Sequence, residues 1–227
     1  QSIDLICRYH LRPGDTVLVD DPCYFNFQAL LRIYKARIIS VRFTPAGPDL
    51  QAFADMLGQH RPRLYITNSA LHNPTGGTIT PQTAHRLLKL AAEHDLTIIE
   101  DDTFAVLEPD LSPRLATLDG LERVIRIGSF SKTLSASVRC GYIAGQADLI
   151  AALRTRADKA GHHYVINGSK IWTSYCNHAD FIFLLVRTDP HSSRHHGISV
   201  LLVPMDTPGI EVREIPSVVG ERYFHEV

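Results

Sequence analysis

Apolar positions recur at helical spacing over residues 1–11, where Ile3, Leu5, Ile6 and Tyr9 carry the pattern. Pro13-Gly14-Asp15 then turns the chain. A short apolar run at 16–19 stops at Asp20-Asp21-Pro22 and predicts a buried strand. Helical periodicity returns over 25–34, and a β-branched run at 36–41 predicts the next strand. The same alternation predicts helices over 49–58 and 81–94 and strands at 64–67, 96–100, 123–127 and 140–144, with a further helix from about 147. Continuous apolar strands between amphipathic helices predict an α/β fold with a mostly parallel sheet covered on both faces. Such sheets bind ligands at the carboxyl ends of their strands.

From Tyr164 onward the pattern changes. Strands with polar turns replace the alternation of strand and helix: Tyr164-Val165-Ile166-Asn167-Gly168-Ser169-Lys170-Ile171-Trp172-Thr173-Ser174, then 181–186, 198–204 and 210–215. Asn167-Gly168 signals a hairpin between two of them. This spacing predicts an antiparallel sandwich or barrel segment. Two domains are expected, 1–150 and 151–227.

Composition narrows the function classes. The 227 residues are 44% hydrophobic and 21% charged, as in an ordinary soluble protein, here expected to be cytoplasmic. A formal net charge of −1 supplies neither the basic stripe of a nucleic-acid binder nor a polybasic membrane patch. No apolar run approaches the roughly 20 residues that span a bilayer. The start, Gln1-Ser2-Ile3-Asp4, reads as an internal cut rather than a signal peptide. Cys7, Cys23, Cys140 and Cys176 lack CxxC spacing and read as reduced, packed thiols. Histidines 162, 163, 191, 195 and 196 lie in polar, turn-like stretches without metal-ligand spacing, so no metal is expected.

Four residues that can do chemistry each follow a predicted strand: Tyr24, Asn73, Asp101 and Lys132. Singly, each has a plain structural reading: a core aromatic, a turn, a helix-capping carboxylate and a solvated charge. Together they suit one site. Lys132 lies in Gly128-Ser129-Phe130-Ser131-Lys132-Thr133-Leu134-Ser135, and its amine can form a Schiff base with an aldehyde once it loses its proton. Ser129 and Arg139 can hold a phosphate. Asp101 can keep a pyridine nitrogen protonated. Asn73, within His72-Asn73-Pro74-Thr75-Gly76-Gly77, offers an amide donor, and Tyr24 an aromatic face.

In their order along the chain these motifs resemble the large domain of fold-type I aminotransferases that use pyridoxal phosphate, most closely the aminotransferase half of MocR-type GntR regulators. The resemblance covers residues 1 to about 150. It implies pyridoxal 5′-phosphate held on Lys132 as an internal aldimine, Asp101 as the pyridinium partner, Asn73 as donor to the phenolic oxygen, Tyr24 stacked on the ring, and Ser129 with Arg139 at the phosphate. It also implies an amino acid or keto acid substrate and sites completed in a homodimer. Phe104 stands where the family usually has a tyrosine. The family's preceding strand and loop and its small domain are not in this sequence, so weak or absent turnover is expected.

The later stretch, with I-N-G-S-K-I-W-T-S, A-D-F-I-F-L-L-V-R-T-D and G-I-S-V-L-L-V-P, resembles the middle β-domain of acyl-CoA dehydrogenases. That likeness implies FAD as a second cofactor, with Trp172 packed near the flavin and Thr173 and Ser174 bonded to its ring. The family's catalytic glutamate lies in helical domains outside this sequence, so retained flavin binding is not expected. The run from Ala147 to Ala157 fits either family, and the chain reads as a chimera with its seam there. A flavin dehydrogenase fragment, a non-catalytic cofactor-sensing remnant and an inert chimera are the competing readings.

Overall fold

The computed structural model describes residues 2–133, 141–153, 156–171, 173–174, 176–189, 191–192, 196–215 and 224–227. By its internal contacts the chain divides into two compact units, residues 2–150 and residues 151–227.

The first unit alternates strands and helices: α1 (Ser2–His10), β1 (Thr16–Asp21), α2 (Phe25–Ile33), β2 (Arg37–Thr44), β3 (Gly47–Pro48), α3 (Leu50–His60), β4 (Leu64–Thr67), α4 (Pro81–Glu93), β5 (Thr97–Asp101), α5 (Leu115–Asp119), β6 (Val124–Ser129), β7 (Gly141–Ala144) and α6, Ala147–Leu153. The strands form one seven-stranded sheet in the order β3-β2-β1-β4-β5-β6-β7. β2, β1, β4, β5 and β6 run parallel, and only the outer strands β3 and β7 pair antiparallel. In register, Leu18 lies beside Tyr65, Tyr65 beside Ile98 and Ile98 beside Val124, so the four side chains share one face of the sheet. They join Phe53 and Leu57 of α3, Leu87 of α4 and Leu115 of α5 in a continuous core. Val17, Val19, Ile66 and Ile99 point the other way and are equally buried. Burial on both faces explains why these strands read as unbroken apolar runs.

Helix starts are fixed locally. Asp49 caps α3 through Oδ1, which accepts from Gln51 N and Ala52 N, and Thr80 caps α4 ahead of Pro81. α5 is capped from a distance: the buried Glu100 carboxylate accepts from Leu115 N at 2.8 Å and Ala116 N at 2.9 Å. Gly128 faces Tyr142 across the β6–β7 ladder, and a Cβ at Gly128 would run into the tyrosine ring.

The second unit contains β8 (Arg156–Ala160), β9 (His163–Asn167), β10 (Thr173–Ser174), β11 (Phe181–Arg187), β12 (Ile198–Pro204), β13 (Arg213–Ile215) and β14 (Phe224–Glu226). These form a four-stranded sheet, β12-β11-β8-β9, and a three-stranded sheet, β10-β14-β13. Their ladders are antiparallel except for a single parallel bridge, Arg187 with Arg156. Among the described residues no barrel closes. The hairpin expected at Asn167-Gly168 is not there. The turn lies one strand earlier, where Ala160 pairs with His163. Beyond Asn167 the chain leaves β9, and Lys170 exchanges both backbone hydrogen bonds with Val227, at 2.7 and 2.8 Å. That long-range pairing overrides the local turn preference of Asn-Gly.

No described helix is long and apolar enough to cross a membrane, and no three metal-ligating side chains cluster among the described residues. Cys7, Cys23 and Cys176 are free. Cys140 lies outside the described residues.

Candidate functional site

The order of the large sheet reverses at β1: the chain steps from β1 to β2 on one side and later returns to β4 on the other. The connections that leave the carboxyl ends of β1 and β4 therefore run in opposite directions, to β2 and to β5, and this switch point is the usual place of the ligand crevice in such sheets. Tyr24 lies three residues beyond β1, Asn73 six beyond β4, and Lys132 three beyond β6, while Asp101 and Ser129 are the last residues of β5 and β6. All five sit at this one edge of the first unit. Arg139 lies outside the described residues.

Asp101 is held rigidly. Its Oδ1 accepts from Thr103 N at 3.1 Å and Thr103 Oγ1 at 2.6 Å, and Asn68 Nδ2 donates to its backbone carbonyl at 3.1 Å. Burial pushes its carboxyl pKa up; the Thr103 and Asn68 bonds pull it down, and the neighbouring Asp102 charge adds to the rise. A carboxylate stabilised this poorly by the protein favours a cationic or N–H-bearing partner. Next to it, the Asn68 Oδ1 is buried without a hydrogen-bond partner. Both features fit a ligand that presents a ring N–H to this edge.

The supporting residues are charged, and Asp102 and Arg114 among them are buried. Asp102 pairs with two arginines: Oδ1 lies 2.6 Å from Arg114 Nε in an ion pair, and Oδ2 accepts from Arg126 Nε at 2.6 Å. Arg114 reaches on to Glu108 Oε2, also at 2.6 Å. Burial alone would raise the Glu108 pKa, but Ser112 and Arg114 together hold it below the usual carboxylate range. Lys132 is exposed, and its Nζ lies 5.8 Å from the centroid of the Phe104 ring. Phe104 follows Asp101 by three residues, so this contact brings the loops of β5 and β6 together. Tyr24 accepts from Asn26 Nδ2 at 2.5 Å and sets its ring edge-on to Phe25 and Phe27.

Sequence reasoning missed a second buried group at this edge. Tyr65 Oη donates to Asp20 Oδ1 at 2.5 Å, and His72 Nε2 lies 3.2 Å from Oδ2. Burial is the main cause raising the pKa of Asp20, with the His72 and Tyr65 bonds opposing it. The sequence signal was present in Asp20 at a strand end and His72 beside Asn73. Their contact across 52 residues was not.

In the second unit Thr173 and Ser174 form β10, paired with His225 and Phe224 of β14. His225 is fully buried with both ring nitrogens unpartnered. Trp172 lies outside the described residues.

The family model for aminotransferases of class I and II matches residues 1–162. The chain belongs to the class I and II aminotransferases. An aminotransferase relative, the 2-aminoadipate transaminase of Thermus thermophilus, is 34% identical over 160 residues, which are 67% of this chain and 40% of the relative. The crystal structure of LysN, an α-aminoadipate aminotransferase from the same species in complex with N-(5′-phosphopyridoxyl)-L-leucine, superposes with a TM-score of 0.63 at 30% identity, covering 66% of this chain and 40% of that one. A second family model, the acyl-CoA dehydrogenase middle domain, matches residues 145–226. There the acyl-CoA dehydrogenase IpdE1 of Mycobacterium tuberculosis is 42% identical over 83 residues, 37% of this chain and 22% of that protein. The chain is thus a chimera in sequence, with the two matches overlapping at 145–162. It spans about two fifths of the curated aminotransferases and about a fifth of the dehydrogenase.

Proposed function

We propose that residues 1–150 form a pyridoxal-phosphate-binding aminotransferase-type domain and that residues 151–227 are an appended dehydrogenase-type β segment without flavin chemistry of its own. The observation that carries this reading is the meeting of Asp101, Asn68 Oδ1 and the Lys132–Phe104 contact at one sheet edge. Asp101 would face the pyridine nitrogen, Asn73 the phenolic oxygen, Tyr24 the ring, and Ser129 with Arg139 the phosphate. Lys132 would hold the cofactor through Nζ. When bound, pyridoxal phosphate supplies an electron sink for charge developing at a substrate carbon.

The chain's own groups do the rest. Asp101, half-buried and bonded to Thr103 through its side chain, would keep a proton on the ring nitrogen. The Lys132 amine, when free, would take a proton from the α-carbon of a bound amino acid at Nζ and later release it. Tyr24 would offer its aromatic face to the ring. Lys132 and Phe130 are open to solvent, so water is poorly excluded and turnover is weak. The substrate class is an amino acid with a keto-acid acceptor, by kinship with the transaminases.

Titrating the purified chain with pyridoxal phosphate and following its visible absorption tests the reading. Saturable binding at one site, lost in Lys132→Ala and weakened at least tenfold in Asp101→Ala, is expected. Binding that neither substitution changes would refute it.

A further inference from the structure

The crevice between β1 and β4 contains a buried group with no role in the chemistry described so far. His72 is held at both ring nitrogens, Nε2 by Asp20 at 3.2 Å and Nδ1 by Thr75 Oγ1 at 2.9 Å. Its ring stacks on Phe43 with centroids 3.7 Å apart, and its backbone closes the turn through His72 N to Gly77 O and Gly76 N to His72 O. The hydrogen bonds admit a consistent direction. Gly77 N donates to Thr75 Oγ1 at 3.3 Å, the threonine hydroxyl donates to His72 Nδ1, and the ring donates from Nε2 to Asp20. Tyr65 Oη fills the other carboxylate oxygen. Each polar hydrogen of this network then has an acceptor, with the ring hydrogen on Nε2. A doubly protonated ring would donate to Thr75 from Nδ1 and displace the hydroxyl hydrogen from its acceptor.

The next residue is Asn73, half-buried at the crevice. We propose that Asp20, His72 and Thr75 are positioning residues that fix the turn carrying Asn73, so that its amide is already aimed at the ligand before binding. A pre-aimed donor binds more tightly because less motion is lost on binding. This inference rests on the cofactor reading above for its ligand, but the clamp itself is a property of the chain alone.

Three measurements on the full chain separate the clamp from the cofactor reading. Nitrogen-15 spectra of the cofactor-free protein should show His72 protonated at Nε2 and bare at Nδ1. Thr75→Val removes the hydroxyl at an exposed position with little change of volume. It should speed hydrogen exchange of the Gly76 and Gly77 amides about tenfold and weaken pyridoxal phosphate binding about tenfold. Thr75→Ser should restore both. Unchanged exchange in Thr75→Val, or a His72 ring protonated at Nδ1, would overturn the clamp. Faster exchange with unchanged cofactor affinity would overturn its positioning role. Absence of any cofactor binding in the unaltered chain would refute the cofactor reading and with it the role assigned to Asn73, while the exchange and ring-nitrogen results still decide whether the clamp exists.

Discussion

The seven-stranded sheet of the first unit and the four-stranded sheet of the second differ in what their faces meet. In the first unit, β1, β4 and β5 bury side chains pointing to both faces, and Leu18, Ile66, Ile98 and Ile99 are wholly hidden. In the second unit, β11 and β12 bury Leu184, Val186 and Val203 on one face and present Phe183, Leu185, Val200 and Leu202 on the other. Phe183 is 79% exposed and sits directly across from Leu202. An antiparallel hairpin with one solvated face normally alternates apolar with polar residues. Here both alternating sets are apolar. The first sheet is therefore satisfied by its own helices, whereas the hairpin carries the composition of a two-sided core with one side uncovered. Stability and ligand binding should reside in the first unit, and surface stickiness in the second.

The comparison predicts different costs for aromatic truncation in the two units. Phe53→Ala, at a fully buried position packed edge-on to Tyr65, should cost about 3–5 kcal/mol in denaturant unfolding. Loss of less than half that amount would mean the core is loosely packed. Pyridoxal phosphate at a hundred times its Kd should add about 2.7 kcal/mol to the opening free energy of β1, β4 and β5 amides in hydrogen exchange. It should leave β11 and β12 unchanged. Equal protection of both sheets would break the contrast.

A smaller effect tests the site itself. The Asp101 pKa is raised in the folded chain, so its contribution to stability is present at low pH and is lost as the pH rises through the folded value. Asp101→Asn should remove that loss, stabilising the cofactor-free chain by roughly 1 kcal/mol at neutral pH while weakening cofactor binding. A variant destabilised at neutral pH would contradict the assignment of Asp101 as a carboxylate kept partly unsatisfied for function. The smallest shift belongs to the exposed face. Phe183→Ser should change stability by no more than about 0.5 kcal/mol yet visibly lower the binding of an apolar dye.

Much of this contrast was legible in the sequence, and the failures have physical causes. The strand at 64–67 and the helix from Ala147 fell where their apolar runs placed them. Helix α5 escaped because it has five residues and its cap, Glu100, comes from β5 rather than from the residue before it. The Asn167-Gly168 turn was misplaced because the pairing of Lys170 with Val227 bridges 57 residues. The strand-end motifs placed Tyr24, Asn73, Asp101, Ser129 and Lys132 at the carboxyl edge of the large sheet, where the structure has them. The roles of Asp20, Phe43 and Arg114 depend on contacts between different elements, which no local pattern encodes. Phe104 was noted as a departure from a family tyrosine, but its contact with Lys132 needed the fold.

The central claim is that the first unit holds a pyridoxal cofactor on one lysine. Incubation with pyridoxal phosphate, borohydride reduction and peptide mapping tests it most directly. The account predicts a single phosphopyridoxyl label on Lys132, absent from Lys132→Ala. Label scattered over several lysines, or persisting at full yield in Lys132→Ala, would contradict it.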